Sequence, residues 1–250
     1  MTDRTEVLFF ELFGDLPRQG PGDDASTLRA LALVPRLSPQ ARLLDIGCGT
    51  GRQTLVLAQN SPAQILAIDN HPPYIAELTR SADALGVAAR VGGRVQDMRS
   101  LQFAPHSFDL IWCEGAIFVV GFEAGLQHWR HMLVPGGFLA ITEVTWRKSG
   151  APPECLDFWA EQYPAIRDVP TLLTSIAHCG YEAVGHFSLP ASAWWDDYYG
   201  PLQHQMEEFQ ARHAGESDAA ELVRQVRREI DIWRAYSEYY GYEFFVIRRR

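Results

Sequence analysis

The run Leu43-Leu44-Asp45-Ile46-Gly47-Cys48-Gly49-Thr50-Gly51 constrains this chain more than any other stretch. Apolar residues lead into an acid and then into glycines two apart, and Arg52 to Ala58 follows with the composition of a helix. A short buried strand, a sharp turn and a helix start make the first βα unit of a nucleotide-binding α/β domain. Glycine takes backbone angles closed to other residues and lets main-chain N–H groups approach a ligand. A carboxylate or phosphate then sits near the positive end of the helix.

The spacing of the glycines separates possible ligands. The dinucleotide pattern Gly-x-Gly-x-x-Gly wants its third glycine where Arg52 stands. The order here is Asp-x-Gly-x-Gly-x-Gly, which resembles motif I of the class I S-adenosylmethionine (SAM) methyltransferases. The resemblance covers about residues 25 to 150 and the last two strands. It implies an α/β fold with a doubly wound, seven-stranded sheet, mostly parallel with the last strand antiparallel. It also implies SAM as cofactor and S-adenosylhomocysteine as product. Carried over by position, it places cofactor contacts at Asp45, Gly47, Cys48, Gly49, Gly51 and Gln53, then at Asp69 and Asn70. Asp97 and Met98, and Glu114 and Gly115, complete the set.

Two of these acids carry specific chemistry. Asp69 ends a second strand, Ala63 to Asp69, at 20 residues beyond Gly49, where a carboxylate reaches a ribose diol. The alternative is an acid at a helix start, since Pro72-Pro73 opens the next helix. The ribose role is favoured. Asp97 follows a weaker strand near Arg90 to Gln96, and the resemblance has such an acid accept from the adenine amino group while the N–H of Met98 meets the ring. Asn70-His71-Pro72-Pro73-Tyr74 resembles the Asn-Pro-Pro-Tyr of DNA amino-methyltransferases, but His71 interrupts it and it follows the wrong strand.

Further along, Phe108 to Gly115 reads as a buried fourth strand resembling motif IV. Phe122, Leu126, Trp129 and Leu133 recur at helical spacing, and Pro135-Gly136-Gly137 ends that helix before a fifth strand, Phe138 to Val144. Near the start, Asp23 and Asp24 are expected to cap a helix from about Ala25 to Val34 with Leu28, Leu31 and Ala32 inward. Residues 153–162 and 170–178 read as helices, and 181–189 and 242–248 as strands six and seven.

About 50 residues separate those last strands where family members often have a short turn. A sixth parallel strand finishes at the carboxyl edge of the sheet, so an insertion there rises over the cofactor. Its two helices carry apolar stripes, one with Leu202, Met206 and Phe209, the other with Leu222, Val226, Ile230 and Trp233. Trp194-Trp195-Asp196-Asp197-Tyr198-Tyr199 reads as a connector that either lines a substrate pocket or packs the cap. The expected organisation is one domain, 1–250: a core of about 25–189 and 241–250, an N-terminal flap 1–24, and a helical cap of about 190–240. The bland reading of residues 1–22 is a linker between helices. Pocket candidates are Arg18, Glu114, Phe118, Trp146, Trp194, Trp195 and Tyr198.

The expected activity is methyl transfer to a small molecule under the cap, with a non-catalytic SAM-binding protein as the alternative. Glu114 is the best polar group facing the acceptor, His71, Glu143 and Asp196 are weaker bases, and no catalytic base is assigned. His128 and His131 lack a third ligand, so no metal is expected. A nicotinamide reductase is disfavoured because Val144 stands four before Lys148, the only lysine. The net charge of −9 argues against nucleic acid. No apolar run reaches membrane-spanning length, and Val7 to Phe10 is flanked by acids without a basic leader. Four scattered cysteines without a Cys-x-x-Cys fit a reducing cytoplasm.

Overall fold

A computed structural model describes residues 4–250. Helices α1 (Arg4–Phe13) and α2 (Asp24–Leu31) precede β1 (Arg42–Ile46), α3 (Arg52–Asn60), β2 (Gln64–Asp69), α4 (Pro72–Ala84) and β3 (Val91–Val95). Then come β4 (Phe108–Cys113), α5 (Phe122–Arg130), β5 (Leu133–Trp146), α6 (Pro153–Gln162), the two-residue β6 (Arg167–Asp168) and α7 (Val169–His178). The chain closes with β7 (Tyr181–Ser188), a helical turn α8 (Ser192–Trp194), α9 (Gly200–Arg212), α10 (Ser217–Tyr236) and β8 (Tyr240–Arg249).

The strands lie in the order β3-β2-β1-β4-β5-β8-β7, and β6 adds an eighth beside the end of β5. Only β8 is reversed, running antiparallel to both β5 and β7. Helices cover both faces, so neighbouring residues of one strand bury on opposite sides. Leu44, Ile46 and Ile111 join one core; Leu43, Leu110 and Trp112 join the other. The strand order reverses at β1, which pairs with β2 on one side and β4 on the other. Open α/β sheets bind ligands beyond the carboxyl ends of the strands at such a reversal.

A third core lies beyond β5. Leu8 and Leu12 of α1, Cys155 and Phe158 of α6, and Leu202, Met206 and Phe209 of α9 bury together with Leu222, Val226, Ile230 and Trp233 of α10. Both apolar stripes of the inserted segment are therefore spent on packing. Trp194 stacks on Trp233 at 4.1 Å and 13°.

Several sequence expectations need correcting. The segment Trp194 to Tyr199 is helical rather than a connector: α8 runs into a π-helical turn, Trp195–Tyr199, that feeds α9. Leu133 belongs to β5, not to α5, which stops at Arg130. The chain re-enters the sheet at once because Leu133 pairs with Phe108, and the Pro-Gly-Gly is absorbed within β5 where the register shifts. Helix α2 is rotated from its expected phase: Ser26, Thr27 and Ala30 are buried while Leu28 is exposed. Asp23 caps it by accepting from the Ser26 N–H at 2.6 Å, and Thr27 is turned inward to serve a buried acid. Leaving a buried carboxylate short of a bond costs at least as much as leaving one leucine partly in water.

Candidate functional site

The glycine bend after β1 is built by its neighbours. Gly47 and Cys48 both donate N–H bonds to the Ile68 carbonyl, at 2.9 and 3.0 Å, which ties the bend to β2. Gly51 sits at φ 89°, and a Cβ there would lie 2.3 Å from Leu78. Gly49, at φ 55°, would put a Cβ 2.4 Å from the side-chain oxygen of Gln19. That oxygen accepts from the Thr50 N–H at 3.1 Å and the Thr50 hydroxyl at 3.2 Å. An N-terminal residue thus supplies an acceptor at the start of α3, where an anionic ligand group would be favoured.

Asp45 stands behind the bend rather than in front of it. It is fully buried, accepting from the Thr54 hydroxyl at 2.5 Å and, at 3.5 Å, from Gln53, whose amide also reaches the Cys48 carbonyl. Burial pushes its carboxyl up to about 7, against the bonds from Thr54 and Gln53. A carboxyl raised in the folded state stabilises most below its unfolded pKa, and that contribution is lost as pH rises through the folded value. In the ligand-free protein, the melting temperature should therefore fall relative to that of Asp45→Asn between about pH 4 and 7. The share at stake is on the order of 4 kcal/mol at full titration. Parallel melting curves across that range, followed by circular dichroism, would contradict the assignment.

Asp69 lies at the rim. Its carboxylate accepts from the Gly49 N–H at 3.0 Å and the His71 N–H at 2.9 Å, and burial raises its pKa. The helix-start role is met, since the acid starts the turn into α4, and the same carboxylate holds the bend through Gly49. Asn70 beside it is exposed. His71 stacks on Phe10 at 3.7 Å, so the Asn-His-Pro-Pro-Tyr segment serves packing against α1. Asp97 accepts from the Arg99 N–H at 2.8 Å, capping a short turn, and Met98 and Ala116 close on Gly47.

Glu114 departs most from its expected place. Its side chain is 5% exposed and accepts from the Trp112 indole at 2.8 Å and the Thr27 hydroxyl at 2.7 Å. The guanidinium of Arg18, also 5% exposed, lies 3.3 Å away and reaches Asp24 at 2.9 Å. Burial raises the Glu114 pKa and Arg18 opposes it. The pair fastens a strap, residues 18–22, whose Arg18 and Gly22 N–H groups donate to the carbonyls of Asp197 and Ala193 at 3.3 and 2.9 Å.

Under this strap lies a cavity of about 260 Å³. Gln19, Gly20 and Pro21 form one wall; Gly115, just past the carboxyl end of β4, and Thr142, Glu143 and Val144 of β5 form another. Phe9, Phe13, Phe118, Phe158, Trp159, Tyr163, Trp194, Tyr198 and Tyr242 supply aromatic surface, and Gln162 and Glu229 are polar. Of the predicted pocket residues, Phe118, Trp194 and Tyr198 line this cavity. Arg18 and Glu114 lie outside its lining, bound to each other, because a buried ion pair this close leaves neither group free. Trp195 also lies outside, where the Arg234 guanidinium covers its ring, and Trp146 lines a separate groove with Arg167 and His186. His128 and His131 are both exposed.

Sequence reasoning missed Gln19, Tyr163 and Glu229. Glu229 had a readable signal: it stands among Val226, Ile230 and Trp233 on the inward face of α10, an acid in an apolar stripe. Glu143, ranked low as a base, is 3% exposed in a buried strand, and burial pushes its carboxyl up to about 7.

A switch-point bend with an acid ending the next strand is the arrangement by which a doubly wound α/β domain holds a nucleoside-containing cofactor. A family model described as a methyltransferase domain matches residues 43–137. An uncharacterised Escherichia coli (strain K12) protein, YjhP, is 28% identical over 204 residues, 81% of this chain and 80% of that protein. The trans-aconitate 2-methyltransferase of Streptomyces avermitilis is 34% identical over 114 residues, 44% of this chain and 42% of that one. A SAM-dependent methyltransferase from Geobacter sulfurreducens, solved with S-adenosylhomocysteine, superposes with a TM-score of 0.82 at 25% identity over 98% of both chains. The chain therefore carries a methyltransferase domain over residues 43–137 and shares, over nearly its full length, the fold of a SAM-dependent methyltransferase.

Proposed function

We propose that the protein methylates a small molecule held in the aromatic cavity, with the helices of 190–240 as its cap and the strap as a flap. The observation that carries this reading is continuity: Gln19 touches the glycine bend and also lines the cavity. The donor set suits the cofactor. Asp69 would take the ribose diol, Asp97 and the Met98 N–H the adenine, and the Thr50 end of α3 the amino-acid carboxylate now mimicked by the Gln19 amide oxygen. SAM supplies an electrophilic methyl group when bound. The chain's own residues orient the acceptor and exclude water, and such positioning is worth about 7–11 kcal/mol of a barrier.

The enclosed cavity and the net charge of −9 support a metabolite over nucleic acid. Among the described residues no helix is long and apolar enough to cross a membrane. The four free, buried cysteines support a cytoplasmic location. The acceptor in the name of the Streptomyces relative is a polyanion, and among the described residues no Lys, Arg or His lines this cavity to receive one. The test is transfer of labelled methyl from SAM to a panel of metabolites. A labelled small product is expected. Tight SAM binding with no transfer to any acceptor class would favour a binding protein instead.

A further inference from the structure

The cavity wall has an electrostatic imbalance. Glu143 and Glu229 both line it, and among the described residues no Lys, Arg or His side chain does. Glu143 is 3% exposed and faces the Tyr163 hydroxyl. Arg167, the guanidinium nearest on that side, is engaged by Glu123 and Ser175. Glu229 accepts from the Tyr199 hydroxyl at 2.7 Å, and burial raises its pKa. Carboxylates in an apolar enclosure are costly without a cation, and neutral phenols only partly compensate them. The rings of Phe13, Trp159, Trp194 and Tyr198 line the same space, and aromatic rings attract positive charge at their faces.

We infer that the acceptor is an amine that enters as its ammonium form, its charge set between Glu143, Glu229 and the aromatic rings. This rests on the cavity being the acceptor site. The protein's acidity favours approach of such a ligand, and the cavity rejects carboxylates and phosphates by like charge. An ammonium has no free electron pair and must first lose a proton. The N–H bond breaks, its electron pair stays on nitrogen, and the proton passes to the Glu143 carboxylate, which becomes a neutral carboxyl. Burial holds that carboxyl near 7, where it can both receive and release a proton at neutral pH.

The test is calorimetric binding of benzylamine, benzyl alcohol and benzoate to the protein saturated with S-adenosylhomocysteine. Benzylamine should bind at least about tenfold more tightly than the alcohol, with benzoate weakest. In a Glu143→Gln, Glu229→Gln double variant, which keeps both shapes, that preference should vanish while the alcohol binds as before. Equal or tighter binding of benzyl alcohol or benzoate, or an amine preference that survives the double variant, overturns the amine assignment and leaves the cavity as acceptor site. If none of the three binds while S-adenosylhomocysteine does, the cavity reading falls with it.

Discussion

Asp69→Ala is expected to weaken S-adenosylhomocysteine binding by at least about 100-fold, because two charge-assisted bonds of about 1.5–3 kcal/mol each disappear. The effect has two sources. The proposed ribose contact goes, and so does the bond from the Gly49 N–H that holds the bend in place. Asp69→Asn separates them, since an amide oxygen still accepts from Gly49 but carries no charge for the diol; an intermediate loss is expected. Titration calorimetry on the three proteins decides it. An affinity for S-adenosylhomocysteine within threefold of the parent in Asp69→Ala would remove the ribose assignment.

Trp194→Ala is expected to cost about 3–5 kcal/mol of stability and to leave cofactor affinity almost unchanged. The ring is 2% exposed, stacked on Trp233, with Tyr242 edge-on at 5.0 Å and Tyr240 at 6.1 Å. Removing it opens a void where α8, α10 and β8 meet, and widens the aromatic cavity it lines. The melting temperature should drop by about 6–20 °C for a chain of this length. Trp194→Phe should recover most of that drop. A fall of only a degree or two, or a cofactor affinity lost along with the stability, would mean the cap and the glycine bend are not the separate units proposed.

The parallel βα core was legible because its signals are local and repeated. Apolar runs ending in Asp45, Asp69 and Cys113 mark strands buried on both faces, and glycines with positive φ mark where they must turn. The last two strands were found the same way, although β8 begins two residues earlier than expected. The apolar stripes of α9 and α10 were read correctly because helical period links residues along a single element. Phase was harder in α2, where Leu28 lost the inward position to Thr27, whose partner Glu114 is 87 residues away.

Residue pattern by itself determined the sheet, the bend at its switch point and the acid that ends β2, since backbone geometry and burial dictate these from neighbours in sequence. Only the tertiary structure decided what faces the cavity. Arg18 and Glu114, 96 positions apart, neutralise each other at 3.3 Å and lie outside the cavity lining. Glu143 and Glu229, on a strand and a helix with no local relation, are brought to its wall instead. Charges choose partners by distance in space, and no periodicity along the chain encodes that distance.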